Sequence, residues 1–426
     1  MKEDSTADES APGEPGPGED AASGKRADAP AGWGTRAVWA GEEWSEDHPP
    51  PPGSPTQVPV VHSVSFGYRD PDTWAEVARG ERPGHIYGRN TNPTVAVFEE
   101  KVRQLEGAEA ATSFSTGMAA ISGLLWALLE PGERVVSVRD TYGGTSRVLS
   151  EHLPRFGVDT VLCPTDDPEA IEAEIEGGCD ILYLETPTNP TLAVLDLARL
   201  SAAARKVGAT VVVDNTFATP VNQSPLDLGA HLVVHSATKF LGGHADALGG
   251  VVCGSEELVD GIFQFREIQG SSLHPEAAYL LIRGLKTLHL RVRRQNESAL
   301  RIARWLEGRS DVGAVHYPGL ESHPMHDVAR RQMRGFGGVL SFSLAGGEEA
   351  VARFLPRLRW AHRAANLGAV ETVVGTPATT SHVECTAEER AALGIPEGLI
   401  RYSVGIEDPD DLMADLESAL EAAGPA

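Results

Sequence analysis

In the stretch Leu232 to Gly250, LVVHSATKFLGGHADALGG, a run of apolar residues stops at a small polar cluster and one lysine, Lys239, and glycines follow. A surface lysine needs no such setting. Beside two hydroxyls, Ser236 and Thr238, at the end of a buried strand, the amine is placed to form a Schiff base with an aldehyde. Asp214 and Asn215 end another apolar run, GATVVVDNTF, about one strand–helix–strand step earlier, and Glu185 ends CDILYLETP. In FSTGMAA, Thr116, Gly117 and Met118 open a helix, where free N–H groups and a glycine let an anion approach the backbone. Tyr142, in DTYGG, is an aromatic ring available for stacking. Together these are the requirements of pyridoxal phosphate. The group needs an amine for its aldehyde, an anion beside its ring nitrogen to keep the ring an electron sink, and N–H and hydroxyl donors for its phosphate.

The elements that must position these residues follow from hydrophobic patterning. NPTVAVFEEKVRQLEG is helical, with Val95, Phe98, Val102 and Leu105 at three- and four-residue spacing and Gly107 closing it. TGMAAISGLLWALLEPG is a second helix. RVVSV, VDTVLCP, CDILYLETP, GATVVVDNTF, AHLVVHSATK and ALGGVVCG are short strands. Apolar strands alternating with helices imply strand–helix–strand units, a mostly parallel sheet buried on both faces, and a site at the carboxyl ends of the strands. After about Ser271 the pattern changes. A long helix or two joined helices come first, then GVLSFSLAG, a helix around Val351 to Leu358, a loop from Asn366 to His382, LIRYSVGIED and a last helix. The expected organisation is a leader and Pro-rich segment over 1–55, an arm and large domain over 56–270, and a smaller α/β domain over 271–426.

Composition narrows the function. The chain has 426 residues and a formal net charge of -25, which argues against a nucleic-acid groove. No stretch is long and apolar enough to span a membrane. The leader MKEDSTADESAPGEPGPGED lacks the basic start and apolar core of a signal peptide, and its composition predicts disorder. A cytoplasmic location is expected. Cys163, Cys179, Cys253 and Cys385 are too scattered for a disulfide framework or a zinc site. His231, His235 and His244 have no acidic partner at ligand spacing, so no metal is expected.

SATKFLGGHADALGG resembles the lysine signature of the trans-sulfuration family, the Cys/Met-metabolism enzymes that use pyridoxal phosphate. Four further segments match in order: IYGRNTNPT, STGMAA, the pair ETPTNP and VVDNTF, and LIRYSVGIED. The resemblance runs from about Thr56 to the C-terminus. It implies an α/β type I fold like that of aspartate aminotransferase, and a homotetramer assembled as a dimer of dimers. It implies Lys239 as the imine lysine and proton shuttle, and Asp214 at the pyridine nitrogen. Gly117, Met118, Ser236 and Thr238 would hold the phosphate, Tyr142 would stack on the ring and assist proton transfer, and Asn189 would lie near the ring hydroxyl, with Glu185 behind. Arg401 would bind the substrate α-carboxylate, and Tyr87 and Arg89 would reach the phosphate of a neighbouring subunit.

The departures are informative. Tyr87-Gly88-Arg89 has Gly where the family usually has Ser. Gly144 stands where methionine γ-lyases carry a cysteine. Asn366 stands where lyases and cystathionine γ-synthases usually have Ser, and Asn-Leu-Gly with Pro-Ala-Thr-Thr resembles the sulfhydrylase branch. Asn366 is therefore expected beside Arg401 at the substrate carboxylate. The expected reaction is γ-replacement on an O-acylhomoserine by cysteine or sulfide, with carbon–sulfur elimination, as in a cystathionine lyase, as the alternative.

Overall fold

Seven of the apolar runs become the strands of one sheet: β1 (Ala110–Phe114), β2 (Arg134–Val138), β3 (Asp159–Cys163), β4 (Ile181–Glu185), β5 (Thr210–Asp214), β6 (Leu232–Ser236) and β7 (Gly250–Gly254). These come from a computed structural model that describes residues 31–43, 52–380, 382–383, 386–392 and 394–424. The strand order is β1-β7-β6-β5-β4-β2-β3. β6, β5, β4, β2 and β3 run parallel, and β7 lies antiparallel between β1 and β6. Val211, Val212 and Val213 are all fully buried, as expected where helices cover both faces of a parallel sheet.

Helix α1 (Trp33–Trp39) precedes α2 (Pro71–Ala78), α3 (Pro93–Glu106) and α4 (Gly117–Leu128). α3 and α4 take opposite faces of the sheet. Ile121, Leu124 and Leu125 of α4 pack with Val212, Val234 and Val252, while Phe98, Val102 and Leu105 of α3 pack with Val251 and Cys253. Both helices have the caps that their sequences announce. Asn92 caps α3 through Thr94 and Val95, Thr116 caps α4 through Ala119, and Gly107 closes α3 in a left-handed conformation.

The C-terminal half supplies a second sheet: β8 (Val312–His316), β9 (Val339–Leu344), β10 (His362–Arg363), β11 (Val373–Gly375) and β12 (Leu399–Ser403). Its order is β10-β11-β12-β9-β8, antiparallel except for β10 with β11. The long helical stretch is two helices, Pro275–Leu285 and Leu288–Glu307. β11 lies within the stretch expected to be a loop.

One expectation is corrected. Residues 33–42 were placed with the unstructured leader, yet Trp33–Trp39 is helical and Ala37 and Ala40 are fully buried. The cause is tertiary. Lys101 Nζ, buried on α3, donates to the Val38 carbonyl at 2.9 Å and pairs with Glu42 at 2.8 Å, and Glu42 also pairs with Lys286 at 2.8 Å. The rest of the leader, residues 1–30, and residues 44–51 lie outside the described residues. Residues from Trp33 onward form one compact unit. Among the described residues, no helix is long and apolar enough to cross a membrane.

Candidate active site

The carboxyl ends of β4, β5 and β6 lie side by side. Glu185 and Asp214 are register partners, and Ser236 ends the next strand, two residues beyond Val234, the partner of Asp214. Above them opens a cavity of about 250 Å³ lined by Gly117, Met118, Tyr142, Glu185, Asn189, Asp214, Ser236, Thr238, Lys239 and Arg401. Nine of those ten are sites expected from the sequence to meet cofactor or substrate; the tenth, Glu185, was expected to stand behind them.

Each wall has a local cause. The N-terminus of α4 presses against the end of β6 so closely that a Cβ on Gly117 would stand 2.7 Å from the Ser236 Cβ. Only glycine permits that approach, which leaves the first N–H groups of α4 facing the cavity. Asp214 is 6% exposed. Burial pushes its carboxyl up, and bonds from Thr216 and Tyr183 oppose the push. The Thr216 N–H donates to Asp214 Oδ1 at 3.0 Å and the Tyr183 hydroxyl to Oδ2 at 3.4 Å. Among the described residues Asp214 forms no ion pair, so it is a buried carboxylate that a protonated pyridine ring would complete.

Glu185 accepts the Tyr142 N–H at 2.7 Å. Burial first, then Asp214 next to it, holds the Glu185 carboxyl well above the usual carboxylate range. Lys239 is pushed down to about 8, chiefly by burial and then by the cation of Arg401. Its Nζ donates to Asn366 Oδ1 at 2.9 Å.

Arg401 reaches the cavity from β12 of the second sheet. It is 4% exposed and burial lowers it to about 10. Nη1 donates to Asn189 Oδ1 and Nη2 to the Asn366 carbonyl, each at 3.1 Å. No carboxylate pairs with it among the described residues. A desolvated guanidinium held by two neutral acceptors is completed by an anion. Ser341, the register partner of Arg401 on β9, donates to the Pro190 carbonyl at 2.7 Å and so ties the second sheet to the Asn189 loop.

Tyr87 and Arg89 do not join the cavity. Tyr87 is 42% exposed, the Arg89 guanidinium lies over its ring at 5.6 Å, and Arg89 donates to the Glu267 carbonyl. The sequence reading missed Thr216, which lines the cavity and whose hydroxyl accepts the Ser236 N–H at 2.9 Å. Its position two residues after Asp214, in an Asx-type turn, was the available signal. It also missed Phe217 on the wall, whereas Leu367 and Thr380, which line it too, come from the Asn-Leu-Gly and Pro-Ala-Thr-Thr stretches noted in the sequence. Among the described residues no group of three His, Cys, Asp or Glu side chains converges as metal ligands.

The residues present fit pyridoxal phosphate: a desolvated amine, a buried carboxylate lacking a cation, and a helix start against hydroxyls. Comparison with known proteins agrees. The family described as Cys/Met metabolism PLP-dependent enzyme matches residues 41–421. The chain is 42% identical to L-methionine gamma-lyase of Pseudomonas putida, covering 92% of this chain and 98% of that one. It is 41% identical to O-succinylhomoserine sulfhydrylase of Pseudomonas aeruginosa, covering 84% and 89%. The crystal structure of cystathionine gamma synthase from Xanthomonas oryzae pv. oryzae, in complex with aminoacrylate and cysteine, superimposes with a TM-score of 0.86 at 38% identity, covering 93% and 99%. Synthase, lyase and sulfhydrylase relatives thus stand at similar distances, and this chain belongs to the Cys/Met metabolism family of pyridoxal-phosphate-dependent enzymes.

Proposed function

We propose that the chain catalyses γ-replacement on an O-acylhomoserine, with cysteine or sulfide as the incoming nucleophile. The observation that supports this most is Asn366, whose amide oxygen accepts from Lys239 Nζ and whose carbonyl accepts from Arg401. A residue touching both the reactive amine and the carboxylate-binding cation meets substrate at its reacting end, and its Asn-Leu-Gly loop is the feature that resembles the sulfhydrylase branch. The Xanthomonas relative holds cysteine, the same class of acceptor.

In this reading Lys239 carries the cofactor, Asp214 faces its ring nitrogen, and Asn189 lies by its ring hydroxyl. The α4 start at Gly117 and Met118, with Ser236 and Thr238, takes its phosphate, and Tyr142 stacks on it. When bound, pyridoxal phosphate supplies an electron-withdrawing ring that takes up the pair left at the substrate α-carbon. Arg401 and Asn366 fix the α-carboxylate. Lys239 Nζ, freed by the substrate amine and mostly neutral above about pH 8, would remove the α-proton, be relieved of it by the bound cofactor, and, neutral again, remove a proton from the β-carbon. The γ-carbon–oxygen bond breaks and the acyl group leaves as a carboxylate. The sulfur of the thiolate bonds to the γ-carbon, and Lys239, assisted by Tyr142, returns protons to the β- and α-carbons. Tyr87 and Arg89 act on the phosphate of a second copy, so the working form is a homotetramer of paired dimers.

The test is turnover of O-succinyl- and O-acetylhomoserine with and without cysteine or sulfide, and of cystathionine alone, followed by mass. Thiol-dependent cystathionine or homocysteine is the expected result. Release of 2-oxobutanoate with cysteine, or of pyruvate with homocysteine, from cystathionine alone, with no sulfur product formed from either O-acylhomoserine, would make the enzyme a carbon–sulfur lyase instead.

A further inference from the structure

The reverse face of the sheet, directly behind the cavity, holds a buried carboxyl–imidazole pair that the mechanism above does not use. Glu106 is the last residue of α3, and His235 precedes Ser236 on β6. Both side chains are fully buried, with His235 Nε2 at 2.5 Å from Glu106 Oε1. Asn215, the residue after Asp214, donates from Nδ2 to the same Glu106 oxygen at 3.0 Å. Side chains alternate across a strand. Asp214 and Ser236 therefore point into the cavity, while Asn215 and His235 point to α3. One carboxylate oxygen thus gathers two adjacent strand ends by the residues next to the cofactor's anchors.

The placement is costly. An anion at a helix C-terminus faces the negative end of the dipole, and burial adds a desolvation penalty. Glu106 Oε2 and His235 Nδ1 meet no partner among the described residues. Packing alone would be served as well by apolar side chains.

We propose that Glu106 is a positioning residue for the pyridoxal phosphate site: through Asn215 and His235 it sets the spacing of Asp214 and Ser236. This rests on the reading that Asp214 and Ser236 hold the cofactor. The pair also bears on Asp214 electrostatically, since His235 is among the groups that oppose the upward push of burial on the Asp214 carboxyl, after the Thr216 bonds. Cys253 on β7 feels Glu106 together with Glu99 and Arg103 of α3, so these groups share the pair's surroundings with Asp214.

The experiment titrates pyridoxal phosphate into cofactor-stripped wild type, Glu106→Gln and Asn215→Ala. It records the dissociation constant and the pH midpoint of the visible absorbance of the bound cofactor. Glu106→Gln keeps the size and removes the charge, and is expected to weaken binding about ten-fold. It is also expected to raise the midpoint by about half a unit or more, because a less ionised Asp214 holds the ring proton less well and the ring draws fewer electrons from the Lys239 nitrogen. Asn215→Ala is expected to weaken binding and leave the midpoint in place. Wild-type values of both quantities in Glu106→Gln would overturn the proposal, whatever its melting temperature. If that variant does not fold, an unchanged dissociation constant in Asn215→Ala overturns it. A wild-type protein with no visible band would sink the cofactor assignment, and this proposal with it.

Discussion

Lys239 sits between burial and the Arg401 cation, and both disfavour its charged form. The amine is therefore half protonated near pH 8, where an exposed lysine would still be fully charged. Recombination of stripped protein with pyridoxal phosphate should rise with pH through a midpoint near 8, and Arg401→Met should move that midpoint up. An unshifted midpoint in the variant would disprove the coupling. Glu185 leads to an opposite expectation. Its carboxyl is held well above the usual range by burial and by Asp214, which favours the neutral form, and Glu185→Gln mimics that form while keeping an acceptor for Tyr142. Activity should stay within about three-fold of wild type; a much larger loss would mean that Glu185 works as an anion. Gly144 packs behind two residues of the cavity wall, Met118 and Tyr142. A Cβ there would stand 2.9 Å from both Met118 Sδ and a Tyr142 ring carbon. Gly144→Cys should therefore displace the Tyr142 ring and lower kcat/KM about ten-fold or more, with less effect on melting temperature.

At the level of elements, the site is a set of strand ends and one helix start, which is why so much of it was legible in the sequence. Asp214, Ser236 and Lys239 follow apolar runs, and chain order alone places them on neighbouring strands. Arg401 reaches the cavity from the other sheet and Asn366, in the loop between β10 and β11, bonds to Lys239 and Arg401, and only the resemblance placed them there. Thr216 escaped notice because its only mark is its place two residues after Asp214, which a sequence read for apolar runs passes over. Glu106 and His235 escaped because their pairing joins positions 129 residues apart, and no local spacing encodes that. The α4 start offers a check. Thr116 Oγ1 accepts the Ala119 N–H at 3.0 Å, so Thr116→Ala removes the cap and should destabilise the protein by about 1 kcal/mol in urea unfolding. The same change loosens the phosphate cradle, so pyridoxal phosphate should bind more weakly than the stability loss alone requires. A cofactor affinity equal to wild type would remove α4 from the site.

For the molecule as a whole, the helix at 33–39 shows where composition misleads. WGTRAVWAGEE lies near acidic, Pro-rich sequence, and nothing local says that Lys101, far along the chain, is buried beneath it. Burial drives the Lys101 amine down and Glu42 opposes the push. Glu42→Ala leaves a buried cation without its carboxylate and should cost about 3 kcal/mol, read as a lower unfolding midpoint. Restoring neutrality with Lys101→Met in the same chain should recover most of that loss. If Glu42→Ala alone unfolds at the wild-type midpoint, the pair does not hold the segment. Anyone trimming the gene for crystallisation faces the practical side of this clasp. A protein starting at residue 31 keeps Glu42 against its two lysines, whereas one starting at Thr56 discards it. Both would carry every residue of the cavity, yet the shorter one should lose activity sooner on the bench.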